Sequence, residues 1–229
     1  MPAPYPADWV REGRTHDGAS FLMRPLTEED RSREVGFIAA LSDETRYLRT
    51  MHPLRVLSPH LLDQLMDVDY EQRMAFVASI IEEDGVERFV GVARYGVEPD
   101  GKAAEFAVTT TDEWQGRGVA SQLMVYLLQY ARSHGVERVF GLVLPENVKM
   151  IALAKSLGMS VEHQIDERVI RVSGDLARLP SLETARSARA PVRKKIAAAK
   201  KKEPKKQVAR KAQPRTAPRR RKTVARKSR

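Results

Sequence analysis

The stretch Glu105-Phe-Ala-Val-Thr-Thr-Thr-Asp-Glu-Trp-Gln-Gly-Arg-Gly-Val-Ala120 decides the fold of this chain. Its first part, within Ala103 to Thr110, is rich in β-branched residues and reads as a strand. A short connection leads to a turn carrying Gly116 and Gly118. From Gly116 to Ser133 the spacing of Leu123, Leu127, Leu128 and Ala131 predicts an amphipathic helix, ended by His134-Gly135. Two glycines let the backbone come close to a ligand, and the first N–H groups of a helix lack intrahelical partners. Such a terminus suits a pyrophosphate, and Arg117 adds positive charge. The plainer alternative is a helix start with two turn glycines. It is not a dinucleotide-binding fingerprint, because the third glycine would fall on Ser121. It is not a triphosphate-binding loop either, because the Gly-Lys-Ser/Thr ending is absent.

Working outward, Phe21 to Leu26 reads as a first strand. Thr27 is the expected cap of a helix whose first turn is acidic and whose apolar face is Val35, Ile38, Ala39 and Leu41. Ser58-Pro59 opens a second helix with Leu61, Leu62, Leu65 and Met66 on one side. Met74 to Ile81 and Arg88 to Val97 read as a hairpin around Glu83-Asp84-Gly85. Beyond the central helix come a strand over Val139 to Leu144, a helix capped by Asn147 and stopped at Gly158, and a closing hairpin, Val161 to Gln164 with Val169 to Val172. The order is that of an α/β domain, with a mixed, mostly antiparallel sheet flanked by helices and one parallel crossover. Three regions are expected: a flexible arm over 1–19, the domain over 20–179, and a tail over 180–229.

Charge supports that division. The chain's 40 Lys and Arg against 30 Asp and Glu give a net charge of +10. From Thr184 to Arg229, however, 20 bases face the single acid Glu203, so the remainder is acidic, at −9. There is no cysteine, which excludes disulfides, thiolate metal sites and a Cys nucleophile. The five histidines, His16, His52, His60, His134 and His163, lack ligand spacing, and no metal is expected. Met1 to Gly13 has no apolar core of a signal peptide, and no apolar run approaches a membrane span. The expectation is a cytoplasmic protein with no membrane partner.

Gln115-Gly116-Arg117-Gly118-Val119-Ala120 resembles the Gln/Arg-x-x-Gly-x-Gly/Ala acetyl-CoA motif of the GNAT N-acetyltransferases. Asn147-Val-Lys-Met-Ile-Ala-Leu-Ala-Lys-Ser-Leu-Gly-Met159 is similar to that family's Asn-led last helix, and the element order is the family's own. The likeness covers roughly residues 20 to 175. Arg24-Pro-Leu-Thr-Glu-Glu-Asp30, Leu41-Ser-Asp-Glu-Thr-Arg-Tyr-Leu-Arg49 and Asp69-Tyr-Glu-Gln-Arg-Met-Ala-Phe-Val77 resemble the GNAT module of bacterial protein lysine acetyltransferases. There the module often follows an acyl-CoA-synthetase-like or cyclic-nucleotide domain. Neither is expected in these 229 residues.

The resemblance implies acetyl-CoA as co-substrate and direct transfer to an amine, most simply a protein lysine. Phe106, Ala107 and Val108 would meet the pantetheine arm. Gln115 and the amides of Gly116, Arg117, Gly118, Val119, Ala120 and Ser121 would surround the pyrophosphate, and Asn147 would lie near the thioester end. A lysine with a pKa near 10.4 is only about one part in a few thousand neutral at pH 7, so a base is needed. Glu105 matches the glutamate of the Ala-Glu-Phe-Ala-Val pattern and is the candidate base; a strand carboxylate paired with a nearby arginine is the alternative. In one departure from the family, Ala154 stands where many members have a tyrosine that protonates the leaving thiol, so no general acid is assigned. Arg46, Tyr47 and Arg49 lie in a segment that often borders the acceptor site. They read equally as substrate contacts or as a solvated face with one core anchor. A small-amine acetyltransferase and a non-catalytic acetyl-CoA sensor are the alternative functions.

The tail is Lys, Arg, Ala and Pro with hardly a large apolar residue, which predicts disorder. Its composition resembles the Lys/Ala/Pro tails of bacterial nucleoid proteins. It is expected to bind nucleic acid without sequence preference; an acidic protein partner and a solvated tail that serves solubility are the alternatives. No aromatic residue follows Phe140, so stacking on single strands is not expected.

Overall fold

Met74 to Ala78 is an unbroken run of buried residues, the pattern of a strand covered on both faces, and the sheet is built around it. The computed structural model describes residues 3–164 and 168–179. The expected basic tail, 180–229, and residues 165–167 lie outside the described residues. Among the described residues the strands are β1 (Arg11–Arg14), β2 (Ser20–Pro25), β3 (Arg73–Ile81), β4 (Glu87–Val97), β5 (Ala103–Thr110), β6 (Arg138–Val143), β7 (Ser160–Gln164) and β8 (Val169–Asp175). The α-helices are α1 (Arg31–Ala40), α2 (Asp43–Thr50), α3 (Pro59–Met66), α4 (Val119–Ser133) and α5 (Val148–Ser156). One sheet takes the order β1-β2-β3-β4-β5-β6-β8-β7, antiparallel throughout except for the parallel pair β5–β6.

The two faces of β3 carry two cores. Met74, Phe76 and Ala78 pack with Leu123, Leu127 and Tyr130 of α4. Ala75 and Val77 pack with Phe37, Leu41 and Met66 on the α1 and α3 side. The register of β3 on β4 shifts between Ala78 and Ser79, which leaves Val90 as an extra residue in β4. The Val90 carbonyl accepts the Thr111 N–H at 3.0 Å, just past the end of β5. The bulge therefore anchors the chain where it enters the glycine turn.

Two expectations need correction, and one helix was not anticipated. Residues 1–19 do not form a loose arm where they are described. β1 pairs with β2 from Arg11↔Met23 to Arg14↔Ser20, and Trp9 packs 4.9 Å from the Tyr130 ring and 5.0 Å from Tyr126. The aromatic anchor outweighs the local Pro and Gly content. In α1 the buried residues are Glu34 and Phe37, with Leu41 after it, whereas Val35 and Ala39 are exposed. The helix is rotated because Glu34 turns inward to meet Arg94 (2.7 Å). Finally, α2 is a helix that hydrophobic periodicity does not reveal, since Tyr47 and Leu48 are its only large apolar residues. Its sequence signal is Ser42 followed by Asp43 and Glu44; the Ser42 side chain accepts the Thr45 N–H. Thr27 does act at a helix start, its N–H and hydroxyl both donating to Asp30, which Arg24 also binds. Arg24 to Asp30 is thus a structural element.

No helix among the described residues is long and apolar enough to cross a membrane.

Candidate active site

β5 and β6 run together for only three residue pairs, ending at Glu105↔Phe140. β6 then continues against β8, while β5 continues against β4 alone. Gly141 sits at the point of separation, where a Cβ would lie 3.2 Å from both the carbonyl oxygen and the ring of Phe106. From Phe106 to Thr110 the second edge of β5 therefore has no strand partner, and its backbone groups are open to a ligand that can pair like a strand. Two hydroxyls nearby, Thr109 Oγ1 and Thr111 Oγ1, are buried without a hydrogen-bond partner. Nothing in the sequence singled these out from the three consecutive threonines.

The strand feeds the turn. Gly116 and Gly118 have φ of +69° and +89°, a region other residues reach only under strain. Gly118 precedes α4, and no side chain caps the helix start, so its first amides remain available and carry the positive end of the helix dipole. The loop between β1 and β2 lies against this turn. The His16 N–H donates to the Arg117 carbonyl at 3.1 Å, and a Cβ on Gly118 would come within 2.6 Å of His16 Nε2. Arg117 does not point freely at a phosphate: it donates to Asp17 at 2.7 Å and lies 4.3 Å over the Trp114 ring. The Thr15 hydroxyl and then Arg117 hold the Asp17 carboxyl below its ordinary range. His16 and Asp17 fell in the expected arm and so were not candidates.

Gln115 serves as a strut. Its Nε2 donates to Thr45 Oγ1 at 3.1 Å, and its Oε1 accepts from Lys149 Nζ at 2.7 Å. Asp112 accepts from the Ser42 N–H (2.9 Å), the Ser42 hydroxyl (2.8 Å) and the Thr45 hydroxyl (2.7 Å). Burial alone would raise the Asp112 carboxyl, but these three donors hold it below the usual carboxylate range. The two residues seat α2 on the turn and bring the start of α5 beside it. Asn147 caps α5, its Oδ1 accepting the Met150 N–H at 3.1 Å. Ala154 is fully buried in the core. Val119 is buried, and Ala120 and Ser121 are half-buried.

Along β5, Glu105, Ala107 and Thr109 share the face toward α2, while Phe106 turns into the main core and Val108 packs against it. Phe106 can therefore serve a ligand only through its backbone. Glu105 is exposed in a cavity of about 390 Å³ that Arg49, Gln64, Arg94, Tyr95 and Phe106 also line. Among the described residues it makes no ion pair, so the alternative of a strand carboxylate locked to an arginine finds no partner. Of the α2 residues singled out in the sequence, Arg46 pairs with Asp43, Tyr47 is exposed, and Arg49 faces the cavity. A larger cavity, about 760 Å³, lies over β6 and β8 between Phe140, Arg171 and Asp175, and contains neither Glu105 nor the turn. Among the described residues no group of three or more His, Asp or Glu could hold a metal.

A strand that splays from its parallel neighbour, a glycine turn and an uncapped helix start define a class, and comparison with known proteins agrees. Residues 40–159 match the model of the acetyltransferase (GNAT) family, and the chain belongs to that family. It is an acyltransferase with the GNAT fold. The chain is 42% identical over 159 residues to "Acetyltransferase PA5475" of Pseudomonas aeruginosa, a match covering 69% of this chain and 84% of that protein. It is 32% identical over 142 residues to "Acetyltransferase Pat" of Mycolicibacterium smegmatis, covering 62% of this chain but only 41% of Pat. Among solved structures, the GNAT domain of S. lividans PAT superposes with a TM-score of 0.69 at 31% identity, covering 75% of this chain and 99% of that domain.

Proposed function

We propose that the chain moves an acetyl group from acetyl-CoA to the side-chain amine of a protein lysine, with Glu105 as the base. The observation that carries this reading is the parting of β5 from β6 directly after Glu105. An open backbone edge, two buried hydroxyls without partners and an uncapped helix start follow in sequence from one exposed carboxylate. These features fit a long ligand with amides in its middle and a pyrophosphate at one end. Phe106 to Val108 would pair with the pantetheine amides, and the amides from Gly116 to Ser121 would hold the pyrophosphate. Bound there, acetyl-CoA supplies an activated acyl group as a thioester. Glu105 takes a proton from the bound ammonium, directly or through a water, and the neutral amine then attacks the acyl carbon; the C–N bond forms, the C–S bond breaks, and the second amine proton passes to solvent. Ala154 itself supplies no proton to the departing sulfur, and a thiol with a pKa of about 8.5 is able to leave as the thiolate without a general acid.

Gly118→Ala tests the turn. Alanine at a φ of +89° is strained by roughly 1–2 kcal/mol and would also push on His16. Acetyl-CoA affinity is expected to fall about tenfold, read by calorimetric titration; an unchanged Kd would remove the turn from the binding site.

The protein-lysine acceptor draws its support from the resemblance of residues 24–30, 41–49 and 69–77 to protein lysine acetyltransferases. Acetyl-lysine mass spectrometry on a bacterial lysate incubated with acetyl-CoA and the protein tests it. Specific acetylated lysines are expected with the wild type and not with Glu105→Gln. Acetyl-CoA binding with no new acetyl-lysine would redirect the reading to a small amine or a sensor.

For the tail, a dense polycation neutralises phosphates and releases counterions, so the proposed partner is nucleic acid, at the nucleoid of a reducing cytoplasm. Duplex DNA binding by the full chain is expected to fall about a thousandfold or more between 50 and 200 mM salt. Deleting residues 184–229 should abolish it; binding that survives the deletion would place the interaction elsewhere.

A further inference from the structure

Arg49 has no assigned task. It stands on the last turn of α2, four residues after Thr45, so the two share a helix face. Thr45 is locked to Asp112 and Gln115 at the turn, which fixes α2 and carries the Arg49 side chain to the cavity that holds Glu105. The other cations of that cavity are already committed. Arg73 pairs with Asp67 and Asp69, and Arg94 pairs with Glu34 and donates to the Leu65 carbonyl at 2.7 Å. Among the described residues Arg49 makes no hydrogen bond and no ion pair. Burial and then the Arg94 charge lower its pKa to about 10, against the pull of Glu34 and Glu105, so it remains a cation at neutral pH.

A half-buried guanidinium without a partner is costly unless a ligand supplies an anion, and its planar fork matches a carboxylate. The cavity thus offers a carboxylate, Glu105, for an amine, and beside it a separate cation for an acid. We infer that Arg49 selects acceptors that carry a carboxylate close to the reacting amine, which for a protein substrate means a lysine flanked by Asp or Glu. This rests on the placing of the acceptor at Glu105.

The test is a set of acceptor pairs given to the full-length wild type, Arg49→Gln and Arg49→Lys, with kcat/KM read from CoA release. One pair is a lysine peptide with flanking Asp and the same peptide with Asn. The other is free lysine and its decarboxylated diamine. The wild type is expected to favour the acid-bearing member by about ten- to a hundredfold, the range for a charged hydrogen bond, mostly through KM. In Arg49→Gln the preference should collapse toward one, and Arg49→Lys should restore part of it. A variant that loses both members equally has only a structural role for Arg49, which overturns the inference. So do equal wild-type rates within each pair, or no transfer to any carboxylate-bearing acceptor. Preference retained for free lysine alone, with no peptide acetylated, would sink the protein-substrate reading and leave the role of Arg49 standing.

Discussion

Glu105→Gln is expected to lower kcat about 10²- to 10⁴-fold while acetyl-CoA still binds, the range general-base catalysis commonly contributes. The substitution keeps size and hydrogen-bonding capacity and removes the carboxylate charge together with the ability to take a proton. Glu105 is exposed and makes no ion pair among the described residues, so its loss strands no structural partner, and the melting temperature should hardly move. It also lies one residue ahead of the open β5 edge, so the backbone proposed to receive the pantetheine is untouched. CoA release with a lysine acceptor reads kcat, and titration reads the Kd. Loss of binding together with rate would instead make Glu105 a structural part of the donor site.

The second large effect is on stability. Arg94→Met is expected to cost about 3–5 kcal/mol, because it leaves the Glu34 carboxylate buried with no partner. Glu34 is 0% exposed, its Oε2 has no hydrogen-bond partner, and its Oε1 rests on Arg94 at 2.7 Å. For a domain of this size the loss is roughly 6–20 °C in Tm, read by thermal unfolding. The double variant Glu34→Leu with Arg94→Met should recover most of it, since removing both charges removes the desolvation cost as well. A single variant within about 1 kcal/mol of the wild type would mean that Arg49 moves over to neutralise Glu34. That result would join the core pair to the Glu105 cavity directly.

The parts of the molecule legible in sequence are those in which local chemistry and tertiary packing agree. Gly116 and Gly118 announce a backbone conformation that few other residues adopt, and Leu123, Leu127 and Leu128 announce the buried face of α4. Asn147 and Thr27 act at helix starts because side-chain oxygens satisfy orphan groups wherever a helix begins. The parts that were not legible depend on polar contacts between distant segments. α2 is held by Asp112 and Gln115, about 70 positions downstream, and a periodicity argument counts only apolar residues. α1 is turned by Glu34 reaching Arg94, which reverses the rule that charges face water. Trp9 reads as part of a Pro-rich arm until Phe76, Tyr126 and Tyr130 are seen around it. At the site, Glu105 came through family resemblance, whereas its lack of a partner and the presence of Arg49 beside it are facts of the folded chain.

In the proposed reaction Glu105 removes the proton from an amine that binds as the ammonium. The pH dependence of kcat/KM for a lysine acceptor, measured for the wild type and Glu105→Gln, tests it most directly. The wild type should reach a plateau well below the amine pKa of about 10.4, because the enzyme takes the proton. Glu105→Gln should lose that plateau and rise about tenfold per pH unit through pH 9, following the neutral fraction of the amine. Superimposable profiles of equal height would contradict the claim and leave the proton to solvent.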